Sequence, residues 1–267
     1  MPNSHTQIVA TIGPASFKEE VMKSMIEKGM DVARLNFSWG ELSEKKVTID
    51  LIKKVAALQH ATIKIIADIP GPRVQEAHHH SLDHTKETCI TEADKKYIEF
   101  AVAQNLDYIA LSFVASQADV REAQNLVRSY SGSQKIIAKI ERREAVDNLE
   151  EIIDATDAVM VARGDLGNDV PIEEIPFIQE KIVKLAKSKG KPVIVATQML
   201  FSMTNNELPT RAEVTDVEAA VMEGADAVML SEETAMGTYP IEAVTIMERI
   251  IVEAEKHLDG SALFNNL

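Results

Sequence analysis

The sequence predicts an α/β protein, a closed (β/α)8 or TIM barrel with eight parallel strands. Short β-branched, apolar runs alternate with amphipathic helical stretches, which is typical of βαβ units. There are eight such runs, and the 267 residues match the usual size of one barrel. Because the units follow one another from end to end, residues 1–267 are expected to form a single, intact barrel without a second domain.

Each predicted strand ends in polar or glycine residues, where a loop to the next helix would begin. In chain order the runs are QIVATIG, DVARLNFS, IKIIADIPG, YIALSFV, KIIAKIE, AVMVARGD, PVIVATQM and AVMLSEET. Apolar residues recur at three- and four-residue spacing from Glu19 to Gly29 and from Pro176 to Gly190, which predicts helices. Gly29, Gly190 and Gly224 are expected to end helices.

One long interval, residues 72–91, departs from this pattern. It reads PRVQEAHHHSLDHTKETCIT, is polar and rich in histidine, and is predicted to be an exposed loop. The side chains of His78, His79 and His80 would point in different directions, so a solvated loop is favoured over a Zn²⁺ or Ni²⁺ site. Cys89 is the sole cysteine, which excludes an intramolecular disulfide and indicates a plain buried or half-exposed thiol.

The charge balance narrows the range of partners. The formal net charge is −14 and the pI about 5.0, so we expect no nucleic-acid partner for a chain with no basic excess. No apolar run approaches the ~18 residues of a membrane span, and the start of the chain lacks a signal-peptide pattern. We expect a cytoplasmic protein that does not contact membranes. An anionic ligand would need a metal, a helix start or a few placed cations.

Candidate functional residues lie at the carboxyl ends of the strands, where barrels of this class form their sites. Lys139 and Glu141 are two residues apart, so both side chains would face the same way. Glu141 and Asp165 end adjacent strands, and two such carboxylates suit Mg²⁺, which can stabilise an enolate. The backbone amides from Gly164 to Gly167 could hold a carboxylate. A lone Lys or Asp here is more often a cap or an ion pair, but the whole set at one rim favours a functional site.

Long motifs in the same order as in a known family pass through these residues. They are IVATIGPAS, GMDVARLNFS, KIE, MVARGDLG, KPVIVATQML, PTRAEVTDV and ADAVMLSEETA. In these stretches the sequence closely resembles the catalytic barrel of pyruvate kinase. The resemblance implies phosphoryl transfer between phosphoenolpyruvate and ADP, giving pyruvate and ATP, with Mg²⁺ (or Mn²⁺) and K⁺ as cofactors.

The resemblance also implies a role for each matching residue. Lys139 would stabilise the transferring phosphoryl group and the enolate, Arg34 would contact phosphate, and Thr197 would lie by the pyruvate methyl group. The substrate would further be held by Gly164, Asp165, Thr197 and Ser231. The divalent ion would bind Glu141 and Asp165, and the monovalent ion would bind Asn36, Ser38 and Asp68.

The departures from the family cluster on the nucleotide and phosphate side. Residues 72–91 stand where the family inserts a lid domain, and the family's C-terminal domain is absent from this sequence. Pro70, Arg73 and Gln75 replace a Lys, a Glu and a phosphate-binding Arg, for which Arg73 could partly substitute. Trp39, Glu232 and Met236 replace a His, a Gly and a Lys. One of the adjacent Glu232 and Glu233 is interpreted as structural, because two anions would repel a nucleotide phosphate.

Three functions remain open at this point. The first is pyruvate kinase chemistry, weakened by loss of the lid. The second is Mg²⁺-dependent chemistry of a pyruvate enolate without nucleotide, such as proton exchange, oxaloacetate decarboxylation or aldol-type reactions. The third is a metabolite- or partner-binding barrel without catalysis, for which an exposed Trp39 would be a contact. ADP binding and pairing of outer helices into a homo-oligomer are also left open.

Overall fold

A computed structural model describes residues 4–75, 80–82, 88–258 and 266–267 of the chain. In this part of the chain eight strands close into a parallel barrel, and two more form an antiparallel hairpin. The strands are β1 (Gln7–Thr11), β2 (Met30–Asn36), β3 (Lys64–Ile69), β4 (Arg73–Gln75), β5 (His80–Leu82), β6 (Tyr108–Leu111), β7 (Lys135–Ile140), β8 (Ala158–Ala162), β9 (Val193–Ala196) and β10 (Ala227–Leu230). The order around the barrel is β1-β2-β3-β6-β7-β8-β9-β10 and back to β1, which confirms the predicted (β/α)8 barrel.

Helices alternate with the barrel strands. They are α1 (Glu19–Lys28), α2 (Leu42–Leu58), α3 (Glu92–Ala103), α4 (Gln117–Ser129), α5 (Arg143–Asp147), α6 (Leu149–Ala155), α7 (Arg163–Leu166), α8 (Ile175–Ser188), α9 (Arg211–Glu223), α10 (Glu232–Ala235) and α11 (Pro240–Glu255). The three glycines predicted to end helices, Gly29, Gly190 and Gly224, all have positive φ, as helix-ending glycines commonly do. No helix in the described part of the chain combines the length and apolar character that a bilayer crossing requires.

The alternation of side chains along each strand divides the core into two layers. Outward-facing residues such as Ile8, Ile65 and Val159 pack against the helices. Inward-facing residues form a second apolar cluster, which includes Val9, Val32, Ile66, Ala110, Ile137, Met160, Ile194 and Met229. Two residues further along, the same inner face becomes polar at Thr11, Arg34, Asp68, Ser112, Lys139 and Ser231. The barrel therefore has an apolar interior below a polar rim.

Leu267 closes the amino-terminal end of the barrel. Its side chain is only 1% exposed and belongs to the inner apolar cluster. Its backbone N–H donates to Gln7 Oε1 at 3.0 Å, and the Lys64 ammonium contacts its carbonyl oxygen. The sequence indicated only a short terminal segment after α11, so this contact was not predicted.

Four aspartates repeat one contact around the barrel. One aspartate lies at the start of each of the strands β2, β6, β8 and β10, which are every second strand of the barrel. Its carboxylate accepts a hydrogen bond from a backbone N–H at the start of the neighbouring strand. The pairs are Asp31 with Ile8, Asp107 with Ile65 and Asp157 with Ile136, each at 2.8 Å, and Asp226 with Val193 at 2.9 Å. The sequence carries the repeat as DVARL, DYIAL, DAVMV and DAVML. The barrel is thus built from four similar two-strand units.

The prediction that residues 72–91 form an exposed loop is partly wrong. Strands β4 and β5 pair antiparallel, with Val74 opposite Ser81, so part of the interval is a hairpin. Near its end, Cys89 and Ile90 are buried, at 6% and 2% exposure, which confirms the plain buried thiol. Short alternating stretches inside a polar segment can pair with each other, and composition alone does not reveal this. His78 and His79 lie outside the described residues.

Replacing Asp157 with Ala should destabilise the fold. The change leaves the Ile136 N–H without its carboxylate partner, and we expect a loss of about 1–3 kcal/mol in the free energy of unfolding. Urea unfolding at neutral pH measures it. The matched control is Asp154→Ala, which removes an exposed partner of Lys189 and should change little. Equal losses in the two variants would contradict the capping role.

Stability should also depend on the ionisation of Asp31. Burial, opposed by the Ile8 N–H and assisted by nearby Glu248, raises the pKa of Asp31 to about 6, whereas an unfolded Asp titrates near ~3.9. The folded state thus keeps a proton that the unfolded state releases. This contribution to stability is complete below pH ~4 and is lost as the pH rises through about 6.

The variant Asp31→Asn cannot ionise and should not lose stability in this way. We expect it to become more stable than the parent at pH ~8, by on the order of 2–3 kcal/mol, and to show no such advantage near pH ~4. Urea unfolding of both proteins across this range measures the difference. A difference that does not vary with pH would show that Asp31 does not titrate there.

Candidate active site

A lysine buried among carboxylates forms the centre of the candidate site. Lys139, on the inner face of β7, is 4% exposed. Its Nζ lies 2.8 Å from Ser112 Oγ, 2.8 Å from Glu141 Oε1 and 3.2 Å from Asp68 Oδ1. Period-two alternation places Lys139 and Glu141 on the same face, as the sequence predicted. Because β3, β6 and β7 lie side by side in the closed barrel, Asp68 and Ser112 come into contact with Lys139.

Asp68 links this lysine to the arginine of β2. Arg34 Nε donates to Asp68 Oδ2 at 2.8 Å, and Arg34 Nη1 donates to Thr11 Oγ1 at 3.0 Å. Lys139 lies at the other carboxylate oxygen. Both oxygens of Asp68 therefore face a cation.

These contacts determine the charge state of the site. Burial alone would raise the pKa of Asp68, but the positive charges of Lys139 and Arg34 outweigh it and hold that pKa at about 2. Burial would lower the pKa of Lys139, but Asp68, Glu141 and Asp165 together raise it. Lys139 is therefore an ammonium and Asp68 a carboxylate at neutral pH.

Glu141 and Asp165 are the two carboxylates that were predicted to hold a divalent ion. Glu141 Oε2 accepts the Phe113 N–H at 2.7 Å, whereas the buried Oε1 lies by the Lys139 ammonium without hydrogen-bond geometry. Burial raises the pKa of Glu141, and the nearby charge of Asp165, just after β8, raises it further against the opposing effect of Lys139. Two like charges in proximity favour a cation between them.

A Mg²⁺ site needs few protein ligands. Within residues 4–75, 80–82, 88–258 and 266–267, no group of three or more His, Cys, Asp and Glu side chains could hold a metal ion. Mg²⁺ is usually bound through one or two carboxylates, with the remaining ligands supplied by water and substrate phosphate. Glu141 and Asp165 would be two such carboxylates.

Thr197 and Gly164 form a second part of the rim. The Gly164 N–H donates to Thr197 Oγ1 at 2.8 Å, so the amide predicted to hold a substrate carboxylate is engaged by the threonine here. Thr197 and Gln198 have φ values of 72° and 56°, a left-handed conformation that costs roughly 1–2 kcal/mol for such residues. Backbone strain of this kind is concentrated at functional sites and needs support from surrounding contacts.

Ser231, at the end of β10, is supported by Glu233. The two carboxylate oxygens of Glu233 accept the Ser231 N–H at 2.7 Å and the Leu200 N–H at 3.1 Å. Glu233 is fully buried and Glu232 is exposed, which confirms that one of the pair is structural. Ser231 Oγ is buried and has no hydrogen-bond partner among the described residues. It could therefore accept a hydrogen bond from a ligand.

Asn36 and Ser38, two of the residues predicted to bind a monovalent ion, lie at and just after the end of β2. Asn36 pairs with Asp68 in the strand register, and Asn36 Oδ1 accepts the Ser38 N–H at 3.0 Å. Both residues are half-buried. The structure thus places Asn36, Ser38 and Asp68 at adjacent strand ends without a side-chain contact from Asn36 or Ser38 to the Asp68 carboxylate among the interactions it describes.

Arg73 and Trp39 lie beyond the carboxyl ends of two neighbouring barrel strands, β3 and β2. Arg73 Nε donates to the Pro70 carbonyl at 2.9 Å, its Nη2 is 3.5 Å from Ser112 Oγ, and its guanidinium lies 5.6 Å from the Phe113 ring centre. Trp39 is 59% exposed. Arg73 therefore reaches the hydroxyl that contacts the central lysine, through a contact at the limit of hydrogen-bond length.

Sequence reasoning gave no role to Ser112 or Arg163. Ser112 follows Ala110 on the inner face of β6, so the period-two pattern could have identified it as a partner of the rim. Arg163 bonds Asp216 of α9, and no local pattern connects residues so far apart in sequence. Of the predicted residues, Arg34, Asp68, Lys139 and Glu141 form one connected cluster, while Thr197 with Gly164 and Ser231 with Glu233 lie in separate contacts.

Comparison with known proteins identifies the family. A family model described as the barrel domain of pyruvate kinase matches residues 3–88 and 83–244. The chain belongs to the pyruvate kinase family. The two matched ranges overlap at residues 83–88, inside the interval 72–91 that was predicted to stand in place of the pyruvate kinase lid domain. That replacement stays a prediction.

Several proteins named pyruvate kinase are similar to this chain. The protein of Thermococcus litoralis is 36% identical over 340 residues, covering 97% of this chain and 72% of the relative. Those of Sporosarcina psychrophila and Staphylococcus aureus strain MRSA252 are 36% and 34% identical, covering 95% and 98% of this chain. The chain spans only 58% and 59% of these two relatives, less than two thirds of each.

The energetic coupling of Lys139 and Glu141 can be tested by a mutant cycle. Lys139→Met leaves Asp68 and Glu141 buried with one cation fewer, and we expect a loss of about 3–5 kcal/mol in unfolding free energy. Adding Glu141→Gln to this variant removes one uncompensated buried charge and should restore part of the lost unfolding free energy. Urea unfolding measures the cycle, with Lys135→Met, at the exposed start of the same strand, as control. Strictly additive losses would contradict the coupling.

Proposed function

We propose that the protein catalyses phosphoryl transfer between phosphoenolpyruvate and ADP, forming pyruvate and ATP. The observation that carries this proposal is the buried Lys139 ammonium in contact with Glu141 and Asp68 at the carboxyl end of the barrel. Membership of the pyruvate kinase family supports it. The substrates and a cytoplasmic location belong to the same proposal.

Lys139 would stabilise the charge that develops as the phosphoryl group leaves the enolate oxygen. It is already held by Ser112, Asp68 and Glu141, so little reorganisation is needed during the reaction, and its burial strengthens its electrostatic effect. Mg²⁺ (or Mn²⁺), held by Glu141 and Asp165 when bound, would supply further positive charge to the substrate oxygens. K⁺ would have oxygens of Asn36, Ser38 and Asp68 as ligands.

The remaining rim residues would bind and orient the substrate. Arg34 would contact the phosphate with donors not used by Asp68 and Thr11. The amides of Gly164 and Asp165, with Ser231, would hold the carboxylate, and Gly164 would exchange its bond to Thr197 for one to the substrate. Thr197 would then lie by the methylene carbon, where the enolate gains a proton to become pyruvate.

A second candidate is enolate chemistry without a nucleotide. The cluster around Lys139 keeps what such a reaction needs, whereas Pro70, Gln75 and Met236 replace family residues on the nucleotide side, and Met236 is 73% exposed. Pyruvate proton exchange, oxaloacetate decarboxylation or aldol-type reactions would use the same lysine and metal. The exposed Trp39 and Met236 would equally offer contacts to a bound partner if the barrel were not catalytic.

The deciding assay measures pyruvate formed from phosphoenolpyruvate and ADP, with Mg²⁺ and K⁺ each present or withheld. We expect slow turnover that requires Mg²⁺ and falls by more than about 100-fold in Lys139→Ala, because a preorganised charge is lost. Lys135→Ala is the matched control and should retain activity. Circular dichroism of each variant separates loss of chemistry from loss of fold.

Absence of pyruvate formation at high ADP would contradict the kinase proposal. Exchange of pyruvate methyl protons in D₂O then tests the second candidate. Exchange that depends on Mg²⁺ and Lys139 would support an enolate enzyme, and absence of exchange would leave a binding barrel.

A further inference from the structure

Arg163 makes an extensive set of side-chain contacts beside the candidate site. It begins α7, directly after β8, and its side chain is only 10% exposed. Nη2 donates to the Thr197 carbonyl oxygen at 2.6 Å and to Asp216 Oδ2 at 2.7 Å, and lies 2.8 Å from Met199 Sδ. Nη1 donates to Asp216 Oδ1 at 2.6 Å and to Gln179 Oε1 at 3.3 Å.

Two consecutive residues, Arg163 and Gly164, hold Thr197 by hydrogen bonds. The Arg163 side chain binds its carbonyl oxygen, and the Gly164 N–H binds its hydroxyl oxygen. A β-branched residue disfavours the left-handed region, and Gln198 follows in the same conformation. The backbone would relax towards a commoner conformation without support. Because the Arg163 bond fixes the carbonyl side of the Thr197–Gln198 peptide, it acts on the strained segment directly.

We infer that Arg163 is a positioning residue that holds Thr197 in its left-handed conformation and so aims the threonine hydroxyl into the site. The inference rests on the proposed role of Thr197 in binding the substrate and guiding proton transfer. Arg163 itself would touch no substrate. Its effect would pass through the Thr197 carbonyl and the neighbouring Gly164 amide.

The geometry requires a guanidinium. One planar group donates to Asp216 through both terminal nitrogens and still reaches Thr197 from Nη2 and Gln179 from Nη1. A lysine ammonium would act from a single point and could not keep the same contacts. Asp216, on α9, fixes the guanidinium by this paired contact, so the outer helix is connected to the rim through one side chain.

The kinetic test compares Arg163→Lys and Arg163→Ala with the parent in the pyruvate-forming assay. We expect kcat to fall by roughly 10- to 100-fold, as misplacement of a reacting group commonly causes, with the KM for phosphoenolpyruvate much less affected. Free guanidinium at low millimolar concentration should partly restore Arg163→Ala. The matched control is Arg143→Ala, which removes a guanidinium paired with Glu174 on the same rim and should change neither value.

A second measurement does not depend on activity. Amide hydrogen exchange of Gly164, followed by NMR, reports its bond to Thr197 Oγ1. We expect faster exchange in folded Arg163→Ala and Arg163→Lys, and a smaller change in Asp216→Asn, which keeps Arg163 but weakens its anchor. Asp216→Asn also keeps the inference testable if the Arg163 variants do not fold.

The outcomes separate this inference from the proposed function. An inactive parent with faster Gly164 exchange in the variants would refute the kinase proposal and retain the positioning role. Unchanged Gly164 exchange in a folded Arg163 variant would overturn the inference, whatever the activity. A lower melting temperature with normal kcat per folded molecule would also overturn it, because a merely structural arginine behaves in that way.

Discussion

The site depends on the mutual compensation of buried charges at the carboxyl end of the barrel. Asp68, Lys139 and Glu141 are each no more than 4% exposed, and the charges of Asp68 and Lys139 are sustained there by their charged neighbours. The contact between Asp68 and Lys139 joins β3 to β7, so it forms only when β3, β6 and β7 lie side by side in the observed order. The requirement to pair these charges and the closure of the barrel therefore support each other, with Arg34 extending the pairing to β2.

The polar rim rests on an apolar interior formed by the same strands. Inner-face residues such as Val9, Ile66 and Ile137 lie two positions before the polar residues of the rim, and Leu267 closes the opposite end. Close packing in this interior leaves the strand ends little freedom. Side chains on rigid strands are held more accurately than side chains on loops, and a site that stabilises developing charge needs that accuracy.

Backbone strain is found at the strand ends and is balanced by contacts from other elements. Thr197 and Phe113 both have positive φ although neither is glycine. The Phe113 amide is held by Glu141, a candidate metal ligand, and Thr197 is held by Arg163 and Gly164. At both places the contact that supports the strained residue also belongs to the candidate site, so local conformation and chemistry are coupled.

The sequence by itself determined the eight barrel strands and favoured their closure into a barrel, because the alternation of strands with helices is a local property. It also determined that Lys139 and Glu141 share one face. It did not determine that Asp68 pairs with Lys139, that Arg163 reaches Asp216, that part of residues 72–91 forms a hairpin, or that Leu267 closes the barrel floor. These contacts join residues distant in the chain, or pair short segments whose pattern is weak, and only the closed tertiary structure brings them together.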